Sequence, residues 1–291
     1  MRFISKISYF WREIKNAKIM KKIGLFILVL FCTSLAFSQT TTTPAPAPTP
    51  LPQTAPVNQK VRLGLSFSPL LSWFSTSGDA GAVEPDGTRF NIAFGLNTDF
   101  RIAQNSNYYF STGLFLLNTG GTLRHDYFTE NDNGEYFKTE RTSDFRINYV
   151  NIPVTMMLRT NEIGYIRYFG RVGFDAAFNT KSTYDYTDVN LDNPSAADLT
   201  VEDEDASDLT SLMRFGLRIE AGFEMQIGGT TNLYFTATYN SGLNNVFSDD
   251  YELPKTNSLG ELIPGEGGEP QTERRVKATT NLFAITAGVY F

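Results

Sequence analysis

From Met213 to Ile227 every odd position is apolar or small (Met213, Phe215, Leu217, Ile219, Ala221, Phe223, Met225, Ile227), and every even position is Arg, Gly, Glu or Gln. A helix would scatter these apolar groups around its whole circumference, whereas a strand sends alternate side chains to opposite faces. The same period of two recurs in segments starting at Val61, Phe90, Phe110, Val150, Ile166, Leu233 and Phe283. With Met213–Ile227 these make eight predicted strands, ending near Phe67, Leu96, Leu116, Arg159, Phe178, Tyr239 and Phe291 respectively.

The connections sort by length. Short ones fall at Ala103–Asn107, Thr160–Gly164 and Gly228–Thr231, and long polar ones at Ser75–Thr88, Asn118–Asp144, Asn179–Asp208 and Ser241–Arg275. A soluble sandwich has no reason to alternate in this way. The reading is an all-β fold: an eight-stranded antiparallel transmembrane β-barrel with short periplasmic turns, long extracellular loops and both termini on the short-turn side. Slipping Met213–Ile227 by one residue would put Arg214, Arg218, Glu220 and Glu224 into lipid, at about 2–4 kcal/mol per arginine near the midplane. That cost fixes which face is which. Around Asn131–Gly134 the chain alternates weakly across an Asn-Gly turn, so the third and fourth strands are expected to continue past the membrane as a ribbon.

Composition narrows the reading. A net charge of −6 excludes basic nucleic-acid binding, and 24 Phe and 14 Tyr against 2 Trp suit strands and interfacial anchoring. Tyr108, Tyr109, Tyr165, Tyr168, Tyr234, Tyr290 and Phe291 fall at the short-turn ends and are expected to form an aromatic girdle. The single cysteine, Cys32, excludes a disulfide framework. It lies in a predicted signal peptide, residues 1–38, where Lys21-Lys22 precedes the apolar run Ile23–Phe31 and Ala36-Phe37-Ser38 offers a cleavage site; Met20 is a natural alternative start. Residues 39–58, rich in Pro and Thr, read as a disordered periplasmic tether, and residues 59–291 as the barrel.

Tyr149-Val-Asn-Ile-Pro-Val-Thr-Met-Met-Leu-Arg159 resembles the Tyr-Leu-Glu-Ile-Pro strand of PorT-like outer-membrane β-barrel proteins of Bacteroidota. Thr112-Gly113-Leu114, Tyr239–Val246 and the terminal Phe291 fit the same family, in the same order, over about residues 59–291. The resemblance implies an outer-membrane barrel inserted by the barrel-assembly machinery, with Phe291 as its assembly signal, lying among outer-membrane lipid and lipopolysaccharide. Some members are linked to type IX secretion or surface proteins. Asn151 stands where the family commonly has Glu, so a role for that carboxylate does not transfer.

Candidate chemistry is sparse. Arg167, Arg171, Asp175, Arg214, Arg218, Glu220 and Glu224 share the inward parity and are expected to form a lumenal charge network that fills an eight-stranded interior. His125 is the only histidine, beside Asp126; a lipid A-modifying enzyme could use such a pair, but adjacent strand residues face opposite ways. His125 is therefore expected to be solvent-exposed, and replacing it to cost little. The acidic run Val201–Asp208 lacks the glycine and spacing of a calcium loop. The expected function is non-enzymatic, with no cofactor, metal or nucleic acid, acting through exposed loops as an envelope-interaction or secretion-associated component. The alternatives are the lipid A enzyme and a narrow solute channel.

Overall fold

A computed structural model describes residues 60–76, 83–102, 107–130, 136–192, 197–248, 251–255, 257, 263 and 271–291. The expected signal peptide, the tether and the Asn131–Gly134 turn lie outside the described residues.

Eight strands close a ring: β1 (Val61–Thr76), β2 (Val83–Arg101), β3 (Tyr108–Glu130), β4 (Tyr136–Arg159), β5 (Ile166–Asn190), β7 (Met213–Gly228), β8 (Thr231–Gly242) and β11 (Ala278–Tyr290). Each pairs antiparallel with its chain neighbour, and β1 pairs with β11. All eight segments predicted from the period of two are strands of this ring. Closure leaves the ring without an edge.

Its burial is inverted relative to a soluble protein. Leu65, Phe94 and Phe174 on the outer parity are 53%, 51% and 59% exposed, while Arg214 and Glu224 on the inner parity are both 0% exposed. Such an exterior is stable only against an apolar solvent. Among the described residues no helix is long and apolar enough to cross a membrane, which says nothing about crossing with strands.

The long-loop side holds more strand than the alternation predicts. β3, β4 and β5 run to 23, 24 and 25 residues, where about 9–11 suffice to cross a bilayer. β3 and β4 stay paired to Glu130↔Tyr136, as the ribbon reading expects. The extension of β5, expected as loop, pairs with β4 as far as Thr139↔Asn190 and carries β6 (Leu199–Asp205) on its other side. Here Thr183, Tyr184, Tyr186, Thr187 and Val189 supply strand propensity without apolar alternation, so periodicity alone misses them. The β8–β11 connection, also expected as loop, contains a small ribbon of β9 (Glu252–Pro254) and β10 (Thr272–Arg275). Val246, Phe247, Leu253 and Val276 from this connection are buried with Phe74 of β1 and Phe145 of β4, forming an apolar cap on the long-loop end.

The aromatic girdle is only partly as expected. Tyr108, Tyr165, Tyr168 and Phe291 are exposed, but Tyr109, Tyr234 and Tyr290 are 2%, 1% and 1% exposed inside the ring. Their strand-end position suggested an interface, yet their parity is that of the charged residues, and parity decides. The inward glycines make room for these rings more than for Arg or Glu: a Cβ on Gly64 would touch the Tyr290 ring, and one on Gly288 the Tyr234 ring.

Candidate functional site

The lower barrel interior, toward the short turns, is one connected ionic network. Register sets Arg171 of β5 opposite Glu220 of β7, and the two form an ion pair. Arg218, two residues before Glu220 on the same face, bonds the other carboxylate oxygen at 2.9 Å and approaches Asp175 Oδ2 at 3.6 Å. Asp175 also accepts from Asn240 Nδ2 at 2.5 Å, and Asn240 Oδ1 accepts from Arg214 Nη2 at 2.5 Å. Below this, Arg62 bridges Asp99 at 2.7 Å and Glu224 at 2.8 Å, and Arg159 closes on Glu224 at 2.5 Å.

Tyrosines are woven into the charges. Tyr290 OH accepts from Arg171 Nη2 at 2.6 Å and Tyr109 OH from Arg159 Nη2 at 2.8 Å. The Arg62 guanidinium sits 4.7 Å from the Tyr109 ring centre and 4.5 Å from that of Tyr290. Tyr234 stacks on Tyr290 with centroids 4.7 Å apart. Placing a planar cation between π faces and carboxylates compensates part of its desolvation, and the fork of Arg suits this better than Lys would.

Six of the seven residues predicted for the network meet here: Arg171, Asp175, Arg214, Arg218, Glu220 and Glu224. Arg167 does not. Register sets it opposite Glu224, but it turns to Glu162 in the short turn, 2.5 Å away, and stays at the mouth. Sequence reasoning missed Arg62, Asp99 and Arg159: Arg62 and Arg159 take Glu224, the partner Arg167 leaves, and Asp99 pairs with Arg62. Extending the inward parity to the ends of the first, second and fourth strands would have found them. At strand ends water is as available as lumen, so parity alone carried less weight there.

Arg214 differs from the other four arginines. It is fully buried, yet its bonds go to neutral acceptors, Asn240 Oδ1 and the Thr280 carbonyl, the latter at 2.8 Å. Among the described residues its Nε and Nη1 have no hydrogen-bond partner.

His125 is not exposed, contrary to the sequence expectation. It is 4% exposed on β3, edge-on to the Tyr251 ring at 6.2 Å, because the β8–β11 connection folds over it. Burial first, then the Arg141 guanidinium, push its pKa down to about 4 despite Asp188 and Asp126. Asp126 faces the other way and pairs with Lys138 at 2.9 Å. The acidic run lies on and just beyond β6, where Arg146 reaches Asp203 at 3.2 Å and Asp205 accepts from the Ser207 backbone at 2.9 Å. Among the described residues no cluster of His, Cys, Asp or Glu is arranged to hold a metal.

Solved structures align over most of the chain at low similarity. Neisserial surface protein A has 11% identity and a TM-score of 0.35, covering 80% of this chain and 96% of that one. The attachment invasion locus protein Ail of Yersinia pestis has 10% identity and a TM-score of 0.31, covering 80% and 100%. The outer membrane protease OmpT of Escherichia coli has 10% identity and a TM-score of 0.32, covering 81% and 97%. Nothing about activity follows from values this low. No curated protein matches. The family model described as an outer membrane protein beta-barrel domain matches residues 37–248, more than half of the 291 residues. With the closed ring and its apolar exterior, this match establishes that the chain belongs to the outer membrane protein beta-barrel domain family.

Proposed function

We propose that this outer-membrane barrel is non-enzymatic and closed, and that it acts through its long-loop end as an envelope-interaction or secretion-associated component of the PorT-like kind. In this reading the mature chain of a bacteroidotal cell follows a cleaved signal peptide, both termini and the short turns are periplasmic, and β3–β6 project outside the cell. Phe291 presents the C-terminal signal to the barrel-assembly machinery; it is 53% exposed, with its backbone N–H bonded to the Leu63 carbonyl at 2.8 Å.

One observation carries the proposal: the interior is occupied twice over, by the Arg–carboxylate–Tyr network below and the aromatic cap above. A steady pore would have to break buried ion pairs. His125 and Asp126 face apart, which argues against their use as a catalytic dyad in lipid A modification. What remains accessible is the outer surface of the β3–β6 extension, where charged pairs such as Arg124–Glu84 and Lys138–Asp126 face solvent.

The test combines two measurements on outer-membrane-extracted protein. In planar bilayers no stable open current is expected, and crosslinking in intact cells followed by purification should capture envelope proteins that depend on residues of the β3–β6 extension. Stable currents would replace the proposal with a solute channel. A changed lipid A acyl pattern in cells lacking the protein, restored by the wild type and not by His125→Ala, would replace it with an enzyme.

A further inference from the structure

The first two strands carry a matched pair of charges and, next to it, a mismatched one. Register sets Arg62 of β1 opposite Asp99 of β2, and the two pair at 2.7 Å. The ladder runs on toward the short turns, where the Arg101 N–H donates to the Lys60 carbonyl at 2.9 Å. Lys60 therefore stands opposite Arg101, each two residues from the matched pair and on the same inward parity. Like charges directly opposite each other on one face are destabilising.

No acid of the neighbouring chain offsets them. Among the described residues neither Lys60 nor Arg101 has a carboxylate within ion-pair distance, and Arg101 Nη1 is buried without an acceptor. The flanking sequence offers no candidate either: residues 39–59 before Lys60 and 103–106 after Arg101 contain no Asp or Glu. Acids at this end are committed elsewhere, Glu224 to Arg62 and Arg159, and Glu162 to Arg167.

A second group at this mouth is also unmet. Asn232, near the start of β8, shares the inward parity of Tyr234. Its Nδ2 donates to the Thr230 carbonyl at 3.0 Å, but among the described residues its Oδ1 is buried without a donor. β1 and β11 separate β2 from β8 in the ring, so the two unmet groups lie about 14 Å apart along the wall, a span of about four residues of extended chain. The mouth thus lacks an oxyanion at one point and an N–H donor at another. An acidic peptide supplies both, whereas inorganic phosphate supplies only the first. The inward parity also turns these groups away from lipid headgroups.

We infer that the short-turn mouth of the barrel binds an extended acidic peptide segment, with Arg101 and Lys60 holding a carboxylate and Asn232 accepting a backbone N–H. The guanidinium fork matches the planar carboxylate, and the lysine adds a point charge beside it. This site lies at the opposite end from the surface proposed above to act outside the cell. It rests on that reading only for its compartment: with the short turns periplasmic, the segment belongs to a periplasmic protein.

The test titrates the full chain, folded in neutral detergent at low ionic strength, against a fluorescein-labelled hexapeptide of alternating Glu and Ala, read by anisotropy. This peptide should bind at least about tenfold more tightly than its counterpart with Gln in place of Glu, and more weakly as salt is added. Arg101→Gln should cut the affinity about tenfold, and Asn232→Ala about threefold, while Arg124→Gln on the long-loop side should leave it unchanged. Relief of the like-charged pair should leave the heat-modifiable transition of ligand-free Arg101→Gln at the wild-type temperature or above it; a purely structural arginine would lower it. Should Arg101→Gln not fold, Lys60→Gln, at an exposed position, is expected to weaken binding in the same sense. Equal binding of the two peptides, or an affinity that neither substitution changes, would overturn the site. Displacement of the peptide by equimolar inorganic phosphate, or by phosphatidylglycerol in the micelle, would overturn the assignment of a peptide. The compartment is read separately: Asn161→Cys in the short turn, in a chain carrying Cys32→Ser, should react with a membrane-impermeant maleimide only after the outer membrane is permeabilised. Reaction in intact cells would overturn the periplasmic source and the orientation proposed above, whatever the titration shows.

Discussion

The two halves of the barrel interior are built from opposite materials. Toward the short turns Arg62, Arg159, Arg171 and Arg218 are locked to Asp99, Asp175, Glu220 and Glu224. Toward the long loops Phe145 packs on Phe247 at 4.9 Å and stacks on Tyr184 at 5.2 Å, and Phe74 meets Phe247 at 5.4 Å. The first half lies within the apolar belt, where a charge without its partner has no water to turn to. The second projects beyond it and packs like the core of a soluble protein. The difference predicts a division of stability: the lower half should fail as a unit with the barrel, whereas the cap can loosen while the ring stays closed.

The largest effect should come from breaking the lower network. Glu220→Ala removes the carboxylate shared by Arg171 and Arg218, leaving two buried guanidinium groups short of a partner. Loss of one partner of a buried pair costs about 3–5 kcal/mol. The variant should lose heat-modifiable mobility at a much lower temperature, across the whole barrel. A melting profile equal to the wild type would mean that the network is not what holds the interior.

Phe145→Ala tests the other half. Phe145 is fully buried, and truncating such a ring costs about 3–5 kcal/mol. Here the loss should be local. Amide exchange should accelerate in the backbone bonds that tie the cap down, Val246 N–H to the Ala278 carbonyl and Val276 N–H to the Tyr251 carbonyl, with little change at Leu65 or Val289 in the ring. Uniform acceleration through the ring would erase the distinction between the halves.

The division was only half legible in the chain. The ring was readable because lipid outside and charge inside enforce a strict period of two, and a one-residue slip would have moved Arg218 into the bilayer. The cap was not, because beyond the membrane that constraint lapses. Tyr184 and Phe145 sit among Thr, Asp and Arg with no contrast between faces, and Val246, Phe247 and Leu253 come from a connection whose polarity marked it as loop. His125 was misplaced for the same reason: its strand was readable, but the segment that buries it was not. Within the network, Arg171 facing Glu220 followed from two adjacent strands, whereas Arg62 reaching Glu224 joins strands 162 residues apart, which local pattern does not foresee.

Acidification should loosen the cap through His125. His125 is held neutral with a pKa lowered to about 4, against an ordinary value of 6.5. When the cap opens, His125 regains its ordinary affinity for a proton, so the open state binds more protons between these values. Cap stability is therefore complete above about pH 6.5, falls as pH drops toward 4, and by then has lost about 3 kcal/mol. Intrinsic-rate-corrected exchange at Val246 and Val276 should rise through this window, and His125→Phe, which keeps the ring contact with Tyr251, should flatten the response. A response that persists in His125→Phe would assign it to carboxylates instead.

The smallest effect is expected at Arg214, where the two halves meet. It is as deeply buried as any residue of the lower network, and parity alone would rank it with Arg218. Its partners say otherwise: two neutral oxygens on Nη2 and, among the described residues, no carboxylate within ion-pair distance and no acceptor for Nε or Nη1. Its desolvation is poorly compensated, so removing the charge relieves as much as it forfeits. Replacing a buried charge by an apolar group of similar length is often neutral or stabilising. Arg214→Met should leave the melting temperature of the barrel unchanged or slightly raised, with Asn240 still bonded to Asp175, while Arg218→Met lowers it strongly by stripping partners from both Asp175 and Glu220. Equal losses from the two substitutions, read by the same heat-modifiable gel assay, would show that burial rather than pairing sets the energetics of the interior.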